Sequence, residues 1–244
     1  MEFSVFKEFC TNIFSSNSFL LQPTDEQISK LHQLTEIMLE INKSMNLTAI
    51  KEEKAIILRH YADSVVISSY IPANSKIIDV GCGAGFPTLP LAIFRPDLNI
   101  TALDSTAKRI RYVSDTANKL GLNNVTAIAE RAEILGNSKE YRESFDIVTA
   151  RAVAALPVLT ELCMPFAKIG GKFIAMKAQK ASDELKDAQN AIKKCGGAMP
   201  TEQKIILVSP YDQDEQRTIV AIQKSSPTPK ELPRHFSKIS KNPL

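Results

Sequence analysis

From residue 76 onward the chain alternates between short β-rich segments and helical segments. We predict seven strands, at residues 76–80, 100–104, 124–129, 145–150, 172–177, 204–209 and 217–223. Helical patterns accompany the first five strands, at residues 87–94, 107–120, 154–167 and 182–194. Alternation of this kind is typical of a mostly parallel, doubly wound α/β sheet that is covered by helices on both faces.

The last two predicted strands are joined too closely for a parallel connection. Only residues 210–216 lie between them, whereas a crossover between parallel strands takes about a dozen residues or more. We therefore expect these strands to pair antiparallel. The result is a seven-stranded sheet with one antiparallel strand near its edge.

The sheet region is flanked by two segments of different character, which divides the chain into three parts. Residues 1–72 are predicted to be a helical region, because apolar residues recur at helical spacing after a helix start signal at Thr24. Residues 73–224 hold the sheet. Residues 225–244 form a tail rich in Pro and Ser, and its net charge of +3 equals that of the whole chain. Two interpretations of the tail stay open: a solvated segment, or an arm that contacts phosphates.

The sequence offers no pattern of a membrane span, a secretion signal or a metal site. It has no run of about 18 uncharged apolar residues, and its N-terminus lacks the basic start and apolar stretch of a signal peptide. The four cysteines are scattered and form no Cys-x-x-Cys pair: Cys10, Cys82, Cys163 and Cys195. We therefore expect a cytoplasmic protein without bound metal, and we expect it to be a monomer.

Three of the nine glycines lie within five residues in the segment DVGCGAGFPTLPLAI, residues 79–93. They directly follow the first predicted strand, and ligands of doubly wound sheets bind at the carboxyl ends of strands. The segment lacks the Gly-Lys-Ser/Thr of a phosphate loop, and its third glycine comes one residue too early for the dinucleotide pattern. A close approach of backbone to a ligand and a tight turn without a ligand are both compatible with it.

Two carboxylates accompany the glycines. Asp104 ends the second predicted strand, where an acid can accept hydrogen bonds from both ribose hydroxyls and would repel a 2′-phosphate. A nucleoside ligand is therefore favoured over NADP. Asp79 lies inside the apolar first strand, where a charge needs partners. It could fix the loop through backbone N–H groups, or it could reach a ligand ammonium through water.

Seven segments, in order over about three quarters of the chain, resemble one family of enzymes. Residues 79–85 together with Asp104 are similar to the S-adenosylmethionine loop of Rossmann-like (class I) methyltransferases. The whole set resembles the RsmG family, also called GidB, whose members methylate N7 of guanine 527 in 16S rRNA. The matching segments are NLTAI (46–50), RHYADS (59–64), IDVGCGAGFPTLPLAI (78–93), LDSTAKR (103–109), RAE (131–133), ARAVAAL (150–156) and AMKAQ (175–179).

The resemblance implies a site for S-adenosylmethionine, with S-adenosylhomocysteine as the product. It implies that the glycine loop holds the methionine part, that the end of the second strand binds the ribose and the adenine edge, and that a later pair flanks the adenine. The residues, in that order, are Asp79, Gly81, Gly83 and Phe86; Asp104, Ser105 and Thr106; Ala132 and Glu133; and Arg151 after the fourth strand. For Arg151 a surface ion pair is the alternative interpretation.

The resemblance also implies an RNA substrate, the 16S rRNA of the small ribosomal subunit. The basic residues that we expect to contact its phosphates are Arg59, Lys108, Arg109, Lys177 and Arg234. For Lys108 and Arg109 a solvated helix face is the alternative. The chain departs from the family at Thr88 and Ala178, where glycine is usual, and its basic tail is shorter.

Guanine N7 has a free lone pair at neutral pH, so methyl transfer needs alignment of N7, the methyl carbon and sulfur, but no general base. We therefore predict no catalytic side chain, and we interpret His60 as a packing residue rather than an acid or base. Two other functions stay open: a methyltransferase that acts on a protein or small molecule, and a non-catalytic RNA-binding module. An NAD-dependent enzyme is disfavoured by the glycine spacing.

Overall fold

The computed structural model describes residues 1–151, 154–177 and 181–244, and in these residues it forms one seven-stranded sheet. The order across the sheet is β3-β2-β1-β4-β5-β7-β6, and β7 runs in the direction opposite to that of the other six strands. The predicted doubly wound sheet with one antiparallel strand is therefore confirmed. The strands are β1 (Lys76–Val80), β2 (Asn99–Asp104), β3 (Val125–Ala129), β4 (Phe145–Arg151), β5 (Ala167–Lys177), β6 (Thr201–Leu207) and β7 (Glu215–Gln223).

Helices precede the sheet, cover both of its faces and end the chain. They are α1 (Phe3–Ser16), α2 (Asp25–Met45), α3 (Glu53–Ile56), α4 (Asp63–Val65), α5 (Thr88–Phe94), α6 (Ala107–Lys119), α7 (Ala132–Leu135), α8 (Leu156–Cys163), α9 (Ala181–Asp187), α10 (Gln189–Lys194) and α11 (Phe236–Lys241). A π-helical stretch, Ile57–Ala62, joins α3 to α4, and 3₁₀ turns follow α4 and α8. Turns of π-helix inside α-helices are frequent at functional sites, and this one carries Arg59 and His60.

The start signal at Thr24 acts as expected. The Thr24 hydroxyl accepts the N–H of Gln27, and the Gln27 side chain accepts the N–H of Thr24 in return. This capping box pairs two N–H groups that a helix start otherwise leaves without partners.

Two predicted boundaries are clearly wrong. The sixth strand, expected at residues 204–209, spans Thr201–Leu207. The helix expected over residues 154–167 ends at Cys163, and Ala167 already belongs to β5, five residues before the predicted strand start. Ala167 pairs with Phe145 of β4, and an irregularity in the ladder separates this pair from the rest. The extra length of β5 depends on a neighbour strand, so its local sequence carries no sign of it.

Two apolar clusters lie on opposite faces of the sheet. The first joins α1, α2, α5 and α6 to the sheet, with Phe6, Leu34 and Ile100 among its buried members. The second packs α8 and α10 on the other face, and it includes Leu232 and Ile239 from the tail. The N-terminal helices and the tail therefore share core with the sheet, and the three-part division of the chain stays a prediction.

Among the described residues, no helix is long and apolar enough to cross a bilayer. Nor do these residues contain a group of three or more His, Cys, Asp or Glu side chains arranged for a metal ion.

Candidate functional site

The carboxyl ends of β1 to β4 meet at one edge of the sheet and open a crevice of about 510 Å³. The parallel register brings Val80 beside Leu103, and Asp104 beside Ala129. Ligands of doubly wound sheets bind at this edge. Every predicted cofactor residue except Asp79 lines the crevice.

The glycine loop after β1 forms the floor of the crevice. Gly81, Gly83 and Gly85 have φ values of 76°, 56° and 84°, which L side chains rarely adopt. A Cβ on Gly85 would also lie 2.6 Å from a methyl carbon of Leu89. The loop stays close to β2, since the N–H groups of Gly81 and Cys82 both donate to the Leu103 carbonyl, at 2.7 and 3.0 Å. The main chain therefore presents a floor with little side-chain bulk.

Asp104 links this floor to the start of α6. Its carboxylate accepts the N–H of Gly83 at 3.1 Å and the N–H of Thr106 at 2.8 Å. The side chain of Arg109 approaches the same carboxylate at 3.8 Å. A carboxylate can accept about four hydrogen bonds. The described residues donate two to Asp104, so its carboxylate can accept two more. A pair of ribose hydroxyls supplies that number.

Glu133, at the start of α7, forms the wall beside β3. Its buried carboxylate accepts the Nε–H of Arg131 at 2.6 Å and the backbone N–H of Phe236 at 3.3 Å. The Arg131 guanidinium carbon lies 5.3 Å from the centre of the Phe236 ring. Two segments about a hundred residues apart, around Glu133 and Phe236, therefore build this wall together.

Phe86 stands at the other end of the crevice, in contact with His60 and Arg151. The His60 ring stacks on Phe86 with 4.4 Å between ring centres, and the Arg151 guanidinium carbon lies 5.3 Å from the Phe86 ring centre. His60 Nε2 is 2.9 Å from the Thr48 hydroxyl, and Nδ1 is 3.5 Å from an Arg151 nitrogen. Burial and, to a smaller extent, the nearby Arg151 charge lower the pKa of His60 from 6.5 to about 3. A neutral His60 accepts from Arg151 and donates to Thr48, which agrees with a packing role.

Arg151 takes part both in the crevice and in a buried charge network. It donates to Asp63 at 2.8 Å and to the backbone carbonyl of Arg59 at 3.2 Å. The second oxygen of Asp63 accepts Arg217 of β7 at 2.7 Å. Asp63 is buried, so this ion pair differs from the surface pair considered as the alternative. The network fixes the guanidinium beside Phe86.

Asp79 lies behind the loop rather than in the crevice. It is buried, and its Oδ2 accepts the hydroxyl of Thr88 at 2.7 Å, while its Oδ1 has no hydrogen-bond partner among the described residues. Burial raises the pKa of Asp79 from 3.8 to about 6, against the opposing effect of Thr88. Thr88, one of the two positions where the family usually has glycine, therefore supplies Asp79 with a hydrogen bond that glycine could not provide. The other such position, Ala178, lies outside the described residues.

The raised pKa of Asp79 predicts a pH-dependent loss of stability. A group whose pKa is higher in the folded state stabilises that state at low pH, and this contribution is lost as the pH rises through the folded-state pKa. The shift from 3.8 to about 6 corresponds to about 3 kcal/mol. Between pH 4 and pH 7 the free energy of unfolding of the wild type, measured with urea, should therefore fall by up to this amount more than that of Asp79→Asn. Asp115→Asn is the control, since Asp115 is exposed, and its unfolding free energy should change with pH as that of the wild type does. The prediction is contradicted if the curve of unfolding free energy against pH for Asp79→Asn runs parallel to that of the wild type.

Three of the expected RNA contacts, Arg59, Lys177 and Arg234, are already held by carboxylates. Arg59 donates to Glu215 at 2.6 Å, and Lys177 donates to Glu184 at 2.7 Å with only 9% of its side chain exposed. These ion pairs join the π-helical stretch to β7, and β5 to α9. Contact with RNA would have to compete with them.

The basic residues of α6 are placed differently. Lys108 is exposed, and Arg109 is half exposed and lines the crevice. Both lie on the first turn of the helix that follows Asp104. RNA contact by these residues, and by Arg59, Lys177 and Arg234, stays a prediction.

The crevice also contains residues that the sequence did not single out. Leu47 lines it from the NLTAI segment, which the Asn42 side chain holds by two hydrogen bonds to the backbone of Thr48, at 2.9 and 3.0 Å. The family resemblance of that segment was the available signal. Phe236 also lines the crevice, and it lies in the tail, where nothing in the sequence indicated a place at the site.

Comparisons with known proteins agree on one family. Residues 27–205 match the family model for rRNA small subunit methyltransferase G, GidB. The chain is similar to Ribosomal RNA small subunit methyltransferase G from Staphylococcus carnosus, with 44% identity over 223 residues, 90% of this chain and 92% of that protein. The protein of the same name from Alkaliphilus oremlandii is 43% identical over 226 residues, 92% of this chain and 93% of that protein.

Solved structures agree on the fold. An S-adenosylmethionine-dependent O-methyltransferase from Thermotoga maritima superposes with a TM-score of 0.52 at 14% identity, over 79% of this chain and 73% of that one. An S-adenosylmethionine-dependent methyltransferase from Aquifex aeolicus superposes with a TM-score of 0.52 at 14% identity, over 77% of this chain and 97% of that one. The fold is Rossmann-like, and the chain belongs to the rRNA small subunit methyltransferase G family, GidB.

Proposed function

We propose that this protein transfers a methyl group from S-adenosylmethionine to N7 of a guanine in the 16S rRNA of the small ribosomal subunit. Membership of the rRNA small subunit methyltransferase G family supports methyl transfer to small-subunit rRNA. The resemblance of the seven sequence segments to the RsmG family supports N7 of guanine as the methylated atom. The observation that carries the proposal is the crevice, where a glycine floor, the Asp104 carboxylate and the Ala132–Glu133 wall lie together. A ribosomal RNA substrate supports a cytoplasmic location, which stays a prediction. The expected monomeric state is also a prediction, which analytical ultracentrifugation tests.

The residues of the crevice fit S-adenosylmethionine. Its volume of about 510 Å³ lies within the usual range for small-molecule sites. Asp104 keeps capacity for two hydroxyl donors, which suits a ribose diol and disfavours a 2′-phosphate. The positive φ values of Gly81 and Gly83 let the backbone approach a ligand closely. When bound, S-adenosylmethionine supplies a sulfonium methyl group as the electrophile.

The chain's own part in the reaction is positioning. Holding two reactants in line can supply about 7–11 kcal/mol of the barrier, and N7 offers its lone pair without losing a proton. Phe86, in contact with both His60 and Arg151, lies at the end of the crevice opposite Glu133 and would border the reacting groups there. The target base has to leave its stack to reach the crevice.

A positioning mechanism predicts a flat pH profile. His60, which stacks on Phe86 at the crevice, is neutral above its pKa of about 3, and N7 needs no deprotonation. The single-turnover rate with saturating RNA is therefore expected to change by less than about twofold between pH 7 and pH 8.5, since a general base would make it rise with pH until the base is ionised. A tenfold rise per pH unit in rapid-quench measurements would contradict the mechanism.

The proposal is tested by methylation of small-subunit RNA from cells that lack the protein. The purified protein is incubated with tritiated S-adenosylmethionine and either naked 16S rRNA or 30S particles, and the modified base is mapped by cleavage at 7-methylguanine. Label at one guanine N7 is expected. Cofactor binding without transfer to either RNA would favour a protein or small-molecule substrate. Absence of cofactor binding would favour a non-catalytic module.

A further inference from the structure

The basic C-terminal tail is anchored to the body of the protein. Arg142 donates to the carbonyls of Leu232 and Thr228, each at 2.8 Å. Lys224, at the base of the tail, is buried and donates to the carbonyls of Met164 and Cys195 at 2.9 and 3.1 Å. Arg142 therefore holds two backbone carbonyls of the tail, and Lys224 ties the start of the tail to the body, so this segment has a defined path.

A buried ion pair fixes the tail farther along. Arg234 donates through Nε and Nη2 to the two oxygens of Glu161, at 2.7 and 2.6 Å, and its backbone N–H adds a third bond at 2.9 Å. Glu161 is fully buried in α8. Ile239 of α11 packs in the same apolar cluster as α8. The position of α11 is therefore set on both sides of Phe236.

This path brings Phe236 to the crevice. Its ring lines the cavity, its N–H is held by Glu133, and the Arg131 guanidinium lies over the ring. Phe236 is 36% exposed, whereas Leu232 and Ile239, on either side of it in the tail, are buried. Ala132 and Glu133, beside it, are the pair that the proposed cofactor site places next to the adenine.

We propose that Phe236 forms the outer wall of the adenine end of the cofactor crevice, so that the C-terminal tail is a part of the cofactor site. The inference rests on the proposed function, because the adenine end is defined by bound S-adenosylmethionine. A flat apolar ring held beside the crevice offers a purine a surface to pack against, and Arg131 and Glu133 hold the ring in place. The tail thereby ties cofactor affinity to the Arg234–Glu161 anchor.

The test measures binding of two ligands to Phe236→Ala by calorimetry. S-adenosylhomocysteine carries both the adenosine and the amino-acid part, whereas 5′-methylthioadenosine lacks the latter. Loss of one base–aromatic contact is expected to raise both dissociation constants about tenfold, with Phe236→Tyr close to the wild type. Phe19→Ala is the matched control, since Phe19 is exposed and does not line the crevice. Thermal unfolding of each variant shows whether the tail stays packed.

The outcomes separate the inference from the function on which it rests. An unchanged affinity of Phe236→Ala for both ligands, in a protein whose wild type binds them and methylates RNA, overturns the inference alone. A loss seen with S-adenosylhomocysteine but not with 5′-methylthioadenosine overturns the assignment to the adenine end. A wild type that binds neither ligand overturns the inference together with the proposed function.

Discussion

Asp104→Ala is expected to weaken S-adenosylhomocysteine binding by about 100-fold or more, because hydrogen bonds to a charged group contribute about 1.5–3 kcal/mol each and a ribose diol makes two of them. The variant also leaves the N–H groups of Gly83 and Thr106 without their present acceptor. Both effects act on the floor of the crevice. Titration calorimetry measures the change directly.

A ligand comparison separates the ribose contact from the loop contact. The 2′-deoxy analogue of S-adenosylhomocysteine removes one proposed donor, so the wild type should bind it more weakly, whereas Asp104→Ala should bind the two ligands alike. Asp115→Ala is the matched control, an exposed carboxylate on α6 outside the crevice. A dissociation constant for Asp104→Ala within threefold of the wild type would rule out the ribose role.

Arg234→Ala is expected to lower the free energy of unfolding by about 3–5 kcal/mol, the usual cost of leaving one partner of a buried ion pair without the other. Glu161 is fully buried and takes two of its hydrogen bonds from the Arg234 side chain. Urea unfolding followed by circular dichroism measures the loss. Arg234 is one of the expected RNA contacts, and in the structure its guanidinium is paired with a carboxylate.

Two further variants identify the buried charge as the cause. Glu161→Gln in the Arg234→Ala background removes the unpaired charge and should recover part of the lost stability. Lys238→Ala removes an exposed cation of the same tail and should change stability by no more than about 0.5 kcal/mol. A loss below about 1 kcal/mol for Arg234→Ala, or no recovery in the double variant, would show that the ion pair contributes little.

The parts of the site that were predictable depend on short-range pattern. The segment from β1 into the glycine loop is contiguous in sequence. Its glycines, Gly81, Gly83 and Gly85, adopt positive φ values, a preference that glycine has whatever the surrounding fold. Asp104 was predictable because it ends the neighbouring strand, and parallel strands bring their carboxyl ends together. Each of these inferences needed only local residues and the order of strands.

The partners of the cations were not predictable in this way. Arg59 meets Glu215, and Arg234 meets Glu161, across separations of 156 and 73 residues. Composition described the tail as basic and poor in core-forming residues, yet Leu232 and Ile239 are buried. A few well-placed apolar residues and one ion pair outweigh the average character of such a segment, because burial acts on individual side chains.

The amino-acid sequence by itself determined the doubly wound sheet, its antiparallel strand, the glycine floor and the carboxylate at the end of β2, since all of these arise from backbone preferences and periodicity within a few residues. Only the tertiary structure decided which charges neutralise each other and that Phe236 reaches the crevice. Those outcomes depend on distances between segments that are far apart in the chain, and electrostatic and packing energies act over a few ångströms of space whatever the separation in sequence.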